Sequence, residues 1–228
     1  NHHKNEHTMR WRSLTKTPYE LKISLTLSNG QCFNWKKANS TEWVGVIGRN
    51  VIGLKDTDKG VAFRSYVEDS DVSSQELEDY FQLSVSMDEL CSTWLKKKKS
   101  DKRFEAIAKC MRGMRIVRQE VSFLSLSLSL SLSRITTRTH THTHTYNQPL
   151  ECLISFICSS NNNISRITLM LDRLRSNYGE ELYKHETLGS IYSFPSTTRL
   201  AEITESELRD LGFGYRGRFS LFLSFFNQ

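Results

Sequence analysis

The chain has 228 residues, 38% of them hydrophobic and 11% aromatic, so it is long and apolar enough to bury one good core or two small ones. This composition argues against disorder throughout the chain. The formal net charge of +6 suits a polyanionic partner such as nucleic acid, although many basic proteins bind none.

Cysteine usage and hydrophobic runs bear on where the protein works. The five cysteines are odd in number, and no two have the close spacing of a zinc or thioredoxin site. They predict reduced core thiols in a protein inside the cell, at Cys32, Cys91, Cys110, Cys152 and Cys158. No run of about 18 apolar residues occurs and no signal-peptide pattern opens the chain, so neither a membrane span nor secretion is expected.

The first half of the chain carries the signals of β-strands, after a polar N-terminal fringe at residues 1–11. Alternating apolar residues predict a strand over Tyr19–Leu27, and Ser28-Asn29-Gly30 supplies the turn after it. Further strands are predicted at Gln31–Trp35, Trp43–Ile47, Val51–Leu54 and Val61–Val67. Short strands separated by turns predict an antiparallel meander.

Helix signals follow this meander. The segments Ser73–Glu76 and Ser86–Glu89 both have the spacing of a capping box before apolar residues with helical periodicity. An amphipathic helix is predicted over Arg103–Arg112. Residues 12–120 are therefore predicted to form one domain, an antiparallel sheet with flanking helices.

Residues 121–148 break the patterns around them. Ser-Leu repeats fill Ser122–Ser133 and Thr-His repeats fill Thr139–Thr145, and such repeats specify no core because every register is equivalent. Dinucleotide repeats of the TC and CA type translate into these dipeptides, and an exon end followed by an in-frame splice donor encodes Glu-Val-Ser. We hypothesise that this insertion is a retained intron, so that Glu120 should join Pro149. A dominant transcript that keeps the repeats would contradict the hypothesis.

A helical hairpin is predicted after the insertion. Pro149 suits a first helical position, and the second helix ends near Tyr178. The predicted buried stripes are Leu150, Leu153, Ile154 and Ile157 on the first helix, and Ile164, Ile167, Met170, Leu171 and Leu174 on the second. Three asparagines, Asn161, Asn162 and Asn163, lie at the bend. Later, Thr204–Glu207 has the capping-box spacing, and Gly212–Arg218 is predicted to be a flexible, aromatic and basic loop.

The residues alone leave the roles of these segments open. Asparagines at a helix boundary commonly cap helices and tolerate left-handed conformations, but a short amide can also enter a base stack and satisfy an orphaned base. The segment Gly212–Arg218 is either a glycine-rich connector or a DNA contact in which Tyr215 wedges against a base. Gly30 either turns a hairpin or lets its carbonyl approach a ligand edge beside Phe33.

A family resemblance is carried, in order along the chain, by Ser28–Trp35, by Arg118–Glu120 running into Pro149–Arg166, and by Gly212–Arg218. Together these segments resemble the eukaryotic 8-oxoguanine DNA glycosylase family of the helix-hairpin-helix glycosylase superfamily. The resemblance covers most of residues 12–219 apart from the insertion. It implies an α+β fold, in which an antiparallel sheet domain with helices precedes a helical glycosylase domain at residues 149–219.

The resemblance also implies an activity and a set of site residues. The family flips out 8-oxoguanine opposite cytosine, excises it, and cleaves the abasic strand by β-elimination. Gly30 resembles the glycine whose carbonyl accepts from the N7 hydrogen of 8-oxoguanine, and Phe33 lines the same base pocket. Asn161 resembles the amide that fills the space left by the flipped base, with Asn162 and Asn163 supporting the turn.

Three more residues are implied to contact the DNA. Arg166 and Arg216 resemble the pair that reads the estranged cytosine, and Tyr215 resembles the wedge beside it. The family's nucleophile is a lysine that attacks the sugar C1′ with the help of an aspartate, and neither lies within the matched residues. We therefore expect residues 149–219 to be an incomplete glycosylase domain, residues 220–228 a non-homologous tail, and this chain to be inactive.

The expected partner is double-stranded DNA containing oxidised guanine, bound by a monomer in the nucleus, with mitochondria as a second compartment. The alternative function is that of a non-catalytic fragment that binds damaged DNA. No cofactor and no metal is predicted, since a translated simple repeat accounts for the histidines of the Thr-His tract.

Overall fold

A computed structural model of the chain describes residues 10–15, 17–67, 72–97, 102–118 and 148–218. The predicted insertion, apart from its last residue, and the predicted tail lie outside the described residues. The chain forms two compact units. The first comprises Asn1–Arg118 with Glu181–Tyr192, and the second comprises Gln119–Glu180 with Ser193–Gln228.

The first unit contains a five-stranded antiparallel sheet with the strand order β1-β5-β4-β3-β2. Its strands are β1 (Arg12–Ser13), β2 (Trp35–Lys37), β3 (Glu42–Ile47), β4 (Asn50–Thr57) and β5 (Gly60–Ser65). Ile52, Leu54 and Phe63 from the sheet share one buried core with Leu77 and Phe81. The sheet confirms the predicted antiparallel meander and the α+β class.

The predicted strand over Tyr19–Leu27 is wrong, because Ile23–Thr26 forms a short helix, α1. The carboxylate of Asp56 on β4 accepts hydrogen bonds from the backbone N–H groups of Ile23 at 2.8 Å and Ser24 at 3.2 Å. It thereby satisfies two donors that the start of a helix leaves unpaired. This partner is 33 residues away from Ile23, so local alternation could not indicate the helix.

The predicted strand over Gln31–Trp35 is displaced toward the C-terminus, since β2 begins only at Trp35. Two local features explain the difference. Gly30 has a left-handed φ of 80°, and the Asn29 side-chain oxygen accepts from the Gln31 N–H at 3.2 Å. Both features bend the backbone away from the extended conformation of a strand.

Among the described residues of this unit, the sheet is followed by the helices α2 (Ser74–Tyr80), α3 (Met87–Lys97) and α4 (Lys102–Cys110). The first predicted capping box is confirmed, because Ser73 and Glu76 each bond the backbone N–H of the other. At the second, the Ser86 hydroxyl accepts from the Glu89 N–H at 3.3 Å. Helix α4 confirms the helix predicted over Arg103–Arg112 with slightly different bounds.

One buried arginine joins several loops of the first unit. The Arg115 side chain is 1% exposed and donates to the backbone carbonyls of Glu20, Gln82 and Val85, and to the Glu20 carboxylate. The Arg115 backbone N–H donates to the Thr26 hydroxyl at 3.1 Å. Burial lowers the pKa of Arg115 and the charge of Glu20 opposes that shift, but a guanidinium keeps its proton at any ordinary pH.

A β-hairpin from later in the chain also belongs to the first unit. It consists of β6 (Glu181–His185) and β7 (Gly189–Tyr192), and the sequence alone did not predict it. Its apolar residues pack against a small buried core of Val44, Val51 and Tyr66. Residues far apart in sequence therefore complete one unit.

A polar network centred on Tyr66 fixes this hairpin. The Tyr66 hydroxyl donates to the Glu42 carboxylate at 2.7 Å, accepts from Arg64 at 2.6 Å, and lies 3.0 Å from Nε2 of His185. Nδ1 of His185 accepts from the Thr187 N–H at 3.2 Å. Because Nδ1 is an acceptor, the ring proton lies on Nε2, and His185 donates to the Tyr66 hydroxyl.

The second unit begins with the helical hairpin predicted around the asparagines, α5 (Gln148–Ser159) and α6 (Ile164–Tyr178). The buried residues of α6 match most of the predicted stripe: Ile167, Met170, Leu171 and Leu174. Two predicted stripe residues are instead exposed, Leu153 at 40% and Ile164 at 51%. Ile154 is fully buried on α5, so the buried face of this helix is narrower than its apolar face.

The end of α6 is fixed by a close approach of two backbone segments. The Ser193 N–H donates to the Glu180 carbonyl at 2.9 Å, and the Glu180 N–H donates to the Ser193 hydroxyl at 3.1 Å. A Cβ atom on Gly179 would overlap the Ser193 carbonyl oxygen. Glycine at this position therefore allows the chain to leave and re-enter the unit around the β6–β7 hairpin.

Two short helices, α7 (Thr197–Ala201) and α8 (Glu205–Asp210), precede a 3-10 helix at Gly214–Arg218. The predicted Thr204–Glu207 capping box is confirmed. The segment Gly212–Arg218 was predicted as a loop, but its last five residues, Gly214–Arg218, form this 3-10 helix. Within the described parts of the chain, no helix is both long and apolar enough to cross a membrane.

We expect the substitution R115M to lower the free energy of unfolding of the first unit by about 3 kcal/mol, because it leaves three partly buried carbonyls and the Glu20 carboxylate without their donor. All four tryptophans of the chain lie in the first unit, so urea denaturation followed by tryptophan fluorescence measures this unit alone. R112M is the matched control, since Arg112 pairs with Asp88 at the surface, and should cause a smaller loss. Equal losses would contradict the role assigned to Arg115.

We also expect Tyr66 to make the free energy of unfolding of the first unit depend on pH in the alkaline range. Burial, and secondly the hydrogen bond to Glu42, raise the pKa of Tyr66 in the folded state. The unfolded chain then loses this proton first, so the stability that Tyr66 contributes is present below about pH 10 and is lost as the pH rises beyond it. The free energy of unfolding should fall more steeply above that pH in the wild type than in Y66F, and parallel curves would contradict this.

Candidate nucleic-acid interface

The three asparagines at the bend have different environments. The Asn162 amide donates to the Cys158 carbonyl at 2.9 Å, and its oxygen accepts from the Asn163 N–H at 3.0 Å. The Asn163 side-chain oxygen caps α6 by accepting from the Arg166 N–H at 2.9 Å. Asn161 is exposed, and no side-chain hydrogen bond to it occurs among the described residues. The side chains of Asn162 and Asn163 therefore hydrogen-bond within the bend, whereas the Asn161 amide is exposed to solvent.

The displayed residue has an unusual backbone. Asn161 has a φ of 47°, in the left-handed region that disfavours residues with a Cβ atom. Asparagine tolerates this region better than most residues because its short side chain adapts to the local backbone. The bend therefore uses asparagine where a left-handed conformation and an exposed amide are both needed.

A buried thiol lies beneath the bend. Cys158 is fully buried at the end of α5, and its carbonyl is the acceptor for Asn162. Burial raises the pKa of the Cys158 thiol to about 12, although the charge of Arg216 opposes the shift. The thiol is therefore neutral at physiological pH and acts as a packing residue rather than as a nucleophile.

The 3-10 helix is bonded to the same bend. Arg216 is 6% exposed, and its Nη2 donates to the carbonyl of Ser160 and, at 3.4 Å, to that of Asn161. The Tyr215 hydroxyl donates to the Ser160 carbonyl at 3.4 Å, and the Arg216 guanidinium lies 4.5 Å from the centre of the Tyr215 ring. The Nε atom of Arg216 is buried and has no hydrogen-bond partner among the described residues.

The structure brings most of the predicted site residues together. Asn161, Asn162, Asn163 and Arg166 surround the start of α6, and the contacts of Tyr215 and Arg216 add both to the bend. Arg166 and Tyr215 are exposed, whereas Arg216 is buried. The two arginines that the resemblance pairs therefore lie in different environments.

Gly30 and Phe33, the predicted base-pocket residues, belong to the first unit. The loop at Gly30 is held in place by the next residue, because the Gln31 amide donates to the Arg115 carbonyl at 2.8 Å and accepts from the Val117 N–H at 3.0 Å. Phe33 is half-buried. The loop position therefore depends on the same segment that carries the buried Arg115.

Two residues beside the bend were missed by sequence reasoning. Phe156 is 73% exposed and lines a surface cavity with Ser160, Tyr215 and Arg218. The sequence could have indicated Phe156, because it is an aromatic residue that lies on an apolar helix but outside the predicted buried stripe of that helix. Ser160 acts through its backbone carbonyl, so its residue type carried no signal.

The arrangement presents hydrogen-bonding, stacking and cationic groups on one surface. The exposed groups are the Asn161 amide, the Tyr215 ring, and the guanidinium groups of Arg166 and Arg218. Such groups suit a nucleic acid, because amides and guanidinium groups bond base edges and phosphates while rings stack on bases. No group of three or more histidine, cysteine or acidic side chains in the described ranges could hold a metal ion.

Comparisons with known proteins point to one family. The family model of the 8-oxoguanine DNA glycosylase N-terminal domain matches residues 13–122. The N-glycosylase/DNA lyase OGG1 of Arabidopsis thaliana is 35% identical over 220 residues, which cover 93% of this chain and 50% of that protein. The N-glycosylase/DNA lyase of Saccharomyces cerevisiae is 33% identical over 214 residues, covering 88% of this chain and 48% of that protein.

A solved structure shares the fold. The Clostridium acetobutylicum 8-oxoguanine glycosylase/lyase, in complex with double-stranded DNA containing cytosine opposite 8-oxoguanine, has a TM-score of 0.65 and 20% identity. The likeness covers 89% of this chain and 57% of that one.

The chain thus shares the α+β fold of this solved structure. By its sequence, the chain belongs to the 8-oxoguanine DNA glycosylase family. It spans about half the length of the curated relatives that it matches.

We expect glycine and alanine at position 161 to have different effects on stability. N161G should leave the second unit as stable as the wild type, because glycine adopts a left-handed φ without strain. N161A should destabilise it by about 1 kcal/mol relative to N161G. Thermal unfolding followed by circular dichroism measures the difference, while tryptophan fluorescence monitors the first unit as a control. Equal stabilities would show that the bend does not require the left-handed conformation.

Proposed function

We propose that this protein acts in base-excision repair and binds duplex DNA in which 8-oxoguanine lies opposite cytosine. The observation that carries the proposal is the exposed Asn161 amide, set at a left-handed turn beside the exposed Tyr215 ring. The names of the relatives support it, since both are N-glycosylase/DNA lyases, and so does the DNA bound to the Clostridium protein.

The bend has the chemistry that base flipping requires. Extruding a base costs a few kcal/mol and leaves a gap in the stack and an unpaired cytosine. The Asn161 amide has both a donor and an acceptor, so it can enter the gap and bond the cytosine edge. Tyr215 offers an exposed ring to the neighbouring base, and the exposed Arg166 guanidinium can bond the same cytosine or a phosphate.

Recognition of the damaged base is proposed for the first unit. The carbonyl of Gly30 would accept from the N7 hydrogen of 8-oxoguanine, which guanine lacks, and Phe33 would stack in the same pocket. One such hydrogen bond is worth only about 0.5–1.5 kcal/mol. Discrimination therefore also depends on the cost of leaving the carbonyl unpaired when guanine occupies the pocket.

Base excision and strand cleavage are the reactions that we propose for proteins of this family. A polypeptide of these 228 residues alone should not excise the base, because none of its residues corresponds to the family's nucleophilic lysine and its aspartate. It would then act as a non-catalytic fragment that binds damaged DNA. We propose that it does so as a monomer in the nucleus, with mitochondria as a second compartment.

The binding proposal is tested by titrating duplexes that contain 8-oxoguanine or guanine opposite cytosine, at several salt concentrations. We expect preference for the damaged duplex, an affinity that falls with salt, and about tenfold weaker binding by N161A. N177A is the matched control, because Asn177 is exposed on α6 but bonds its own helix through the Arg173 carbonyl at 2.8 Å. Equal losses in both variants would contradict the role of Asn161.

The same samples test the proposed lack of chemistry. Borohydride traps the covalent adduct between a lysine nucleophile and the sugar, so no adduct should form with this polypeptide. A trapped adduct would overturn the proposal that the chain is inactive and leave the binding proposal intact.

A further inference from the structure

The side chain that follows Gly30 makes two hydrogen bonds to one backbone segment. The Gln31 Nε2 donates to the Arg115 carbonyl at 2.8 Å, and the Gln31 Oε1 accepts from the Val117 N–H at 3.0 Å. These two backbone groups flank Ile116, so a single planar amide bonds both of them. An amide carries a donor and an acceptor, whereas a carboxylate or an apolar side chain cannot make both bonds.

The segment that receives these bonds is anchored in the core of the first unit. The Arg115 side chain is 1% exposed, and the Arg115 backbone N–H donates to the Thr26 hydroxyl at 3.1 Å. Val117 is 4% exposed and belongs to the main core. The Gln31 amide therefore ties the Gly30 loop to a part of the unit whose position is fixed by packing.

The Gly30 carbonyl belongs to the peptide group that joins Gly30 to Gln31. This group is planar and trans, so its C=O and its N–H point in opposite directions. The N–H, on Gln31, donates to the Asn29 side-chain oxygen at 3.2 Å, and the Asn29 amide donates to the Leu25 carbonyl on α1 at 3.2 Å. The plane is therefore held at its N–H by Asn29 and at the Gln31 Cα atom by the bonded side chain.

The Gly30 carbonyl itself is available as an acceptor. No hydrogen bond to it occurs in the part of the chain that the structure describes. Gly30 has a left-handed φ of 80°, and glycine restricts its own backbone less than any other residue. The direction of this carbonyl therefore depends on the residues beside it.

We propose that Gln31 is a positioning residue that orients the Gly30 carbonyl toward the damaged base and thereby sets the preference for 8-oxoguanine over guanine. The proposal rests on the proposed function of Gly30 as the acceptor of the N7 hydrogen. Gln31 acts through Gly30, because its amide is bonded to the protein backbone on both sides. A hydrogen bond weakens steeply as its geometry departs from linear, so a carbonyl that could turn would discriminate poorly.

The ratio of two affinities tests the proposal. Q31M removes both hydrogen bonds while nearly keeping the length of the side chain. One neutral hydrogen bond changes an equilibrium constant about two- to twelvefold, so we expect Q31M to lower the preference for 8-oxoguanine over guanine, each opposite cytosine, about fivefold. A merely structural defect would weaken binding to both duplexes alike. An unchanged ratio would therefore overturn the proposal.

Q82M is the matched control. The Gln82 amide donates to the Ile116 carbonyl at 2.9 Å, so this variant also removes a side-chain hydrogen bond to the same backbone segment, but one that does not come from the Gly30 loop. Q82M should keep the ratio of the wild type. A loss equal to that of Q31M would overturn the assignment of this role to Gln31.

A second variant keeps the proposal testable if Q31M does not fold. In Q31E the carboxylate can still accept from the Val117 N–H but has no proton to donate to the Arg115 carbonyl. The preference for 8-oxoguanine should therefore fall in Q31E as well. A ratio equal to that of the wild type would contradict the proposed role of the Gln31 amide.

A measurement on the protein without DNA separates this proposal from the proposed function. The Gln31 N–H lies in one plane with the Gly30 carbonyl, so its NMR order parameter reports how firmly that carbonyl is held. We expect about 0.85 in the wild type and in Q82M, and less than about 0.6 in Q31M. If the wild type does not prefer 8-oxoguanine, the proposed function fails, but the order parameter still decides whether Gln31 holds the carbonyl. A value as high in Q31M as in the wild type would overturn that role.

Discussion

The two helix ends that meet at the asparagine bend impose the constraint on which the second unit depends. One end leaves carbonyls without donors and the other leaves N–H groups without acceptors. Asn162 bonds the Cys158 carbonyl, and Asn163 accepts from the Arg166 N–H. Because these two short side chains meet both requirements, Asn161 is not needed for capping and its amide stays exposed. The Asn161 amide is therefore exposed because the two neighbouring asparagines already cap the helix ends.

Buried guanidinium groups act in both units where a short amide cannot reach. Arg115 and Arg216 each bond backbone carbonyls that lie outside regular secondary structure. Arg115 also pairs with the Glu20 carboxylate, which offsets the cost of burying its charge. Arg216 has no acidic partner among the described residues, and its Nε is unpaired. Such incomplete satisfaction is uncommon in a purely structural position and more often marks a functional one.

The sequence predicted those parts of the fold whose interactions are local. The capping boxes that begin at Ser73 and Thr204, and the asparagine bend, involve residues within about one helical turn of each other. The short helix α1 was missed because its cap, Asp56, comes from a strand. The β6–β7 hairpin was missed because its packing partner is Tyr66, which is 119 residues away from His185. Long-range partners of this kind leave no periodic signal in the sequence.

The site residues also differ in what the sequence could predict about them: their positions were predicted, but their burial was not. The resemblance identified Arg166 and Arg216 together, since residue type and position are all that a motif records. Burial distinguishes them: the exposed Arg166 is a cation whose attraction to phosphate is screened by salt. The buried Arg216 acts over hydrogen-bond distances on neutral carbonyls, where salt has little access. A family motif can therefore pair two arginines that the packing separates, since one is an exposed cation and the other is bonded to neighbouring backbone carbonyls.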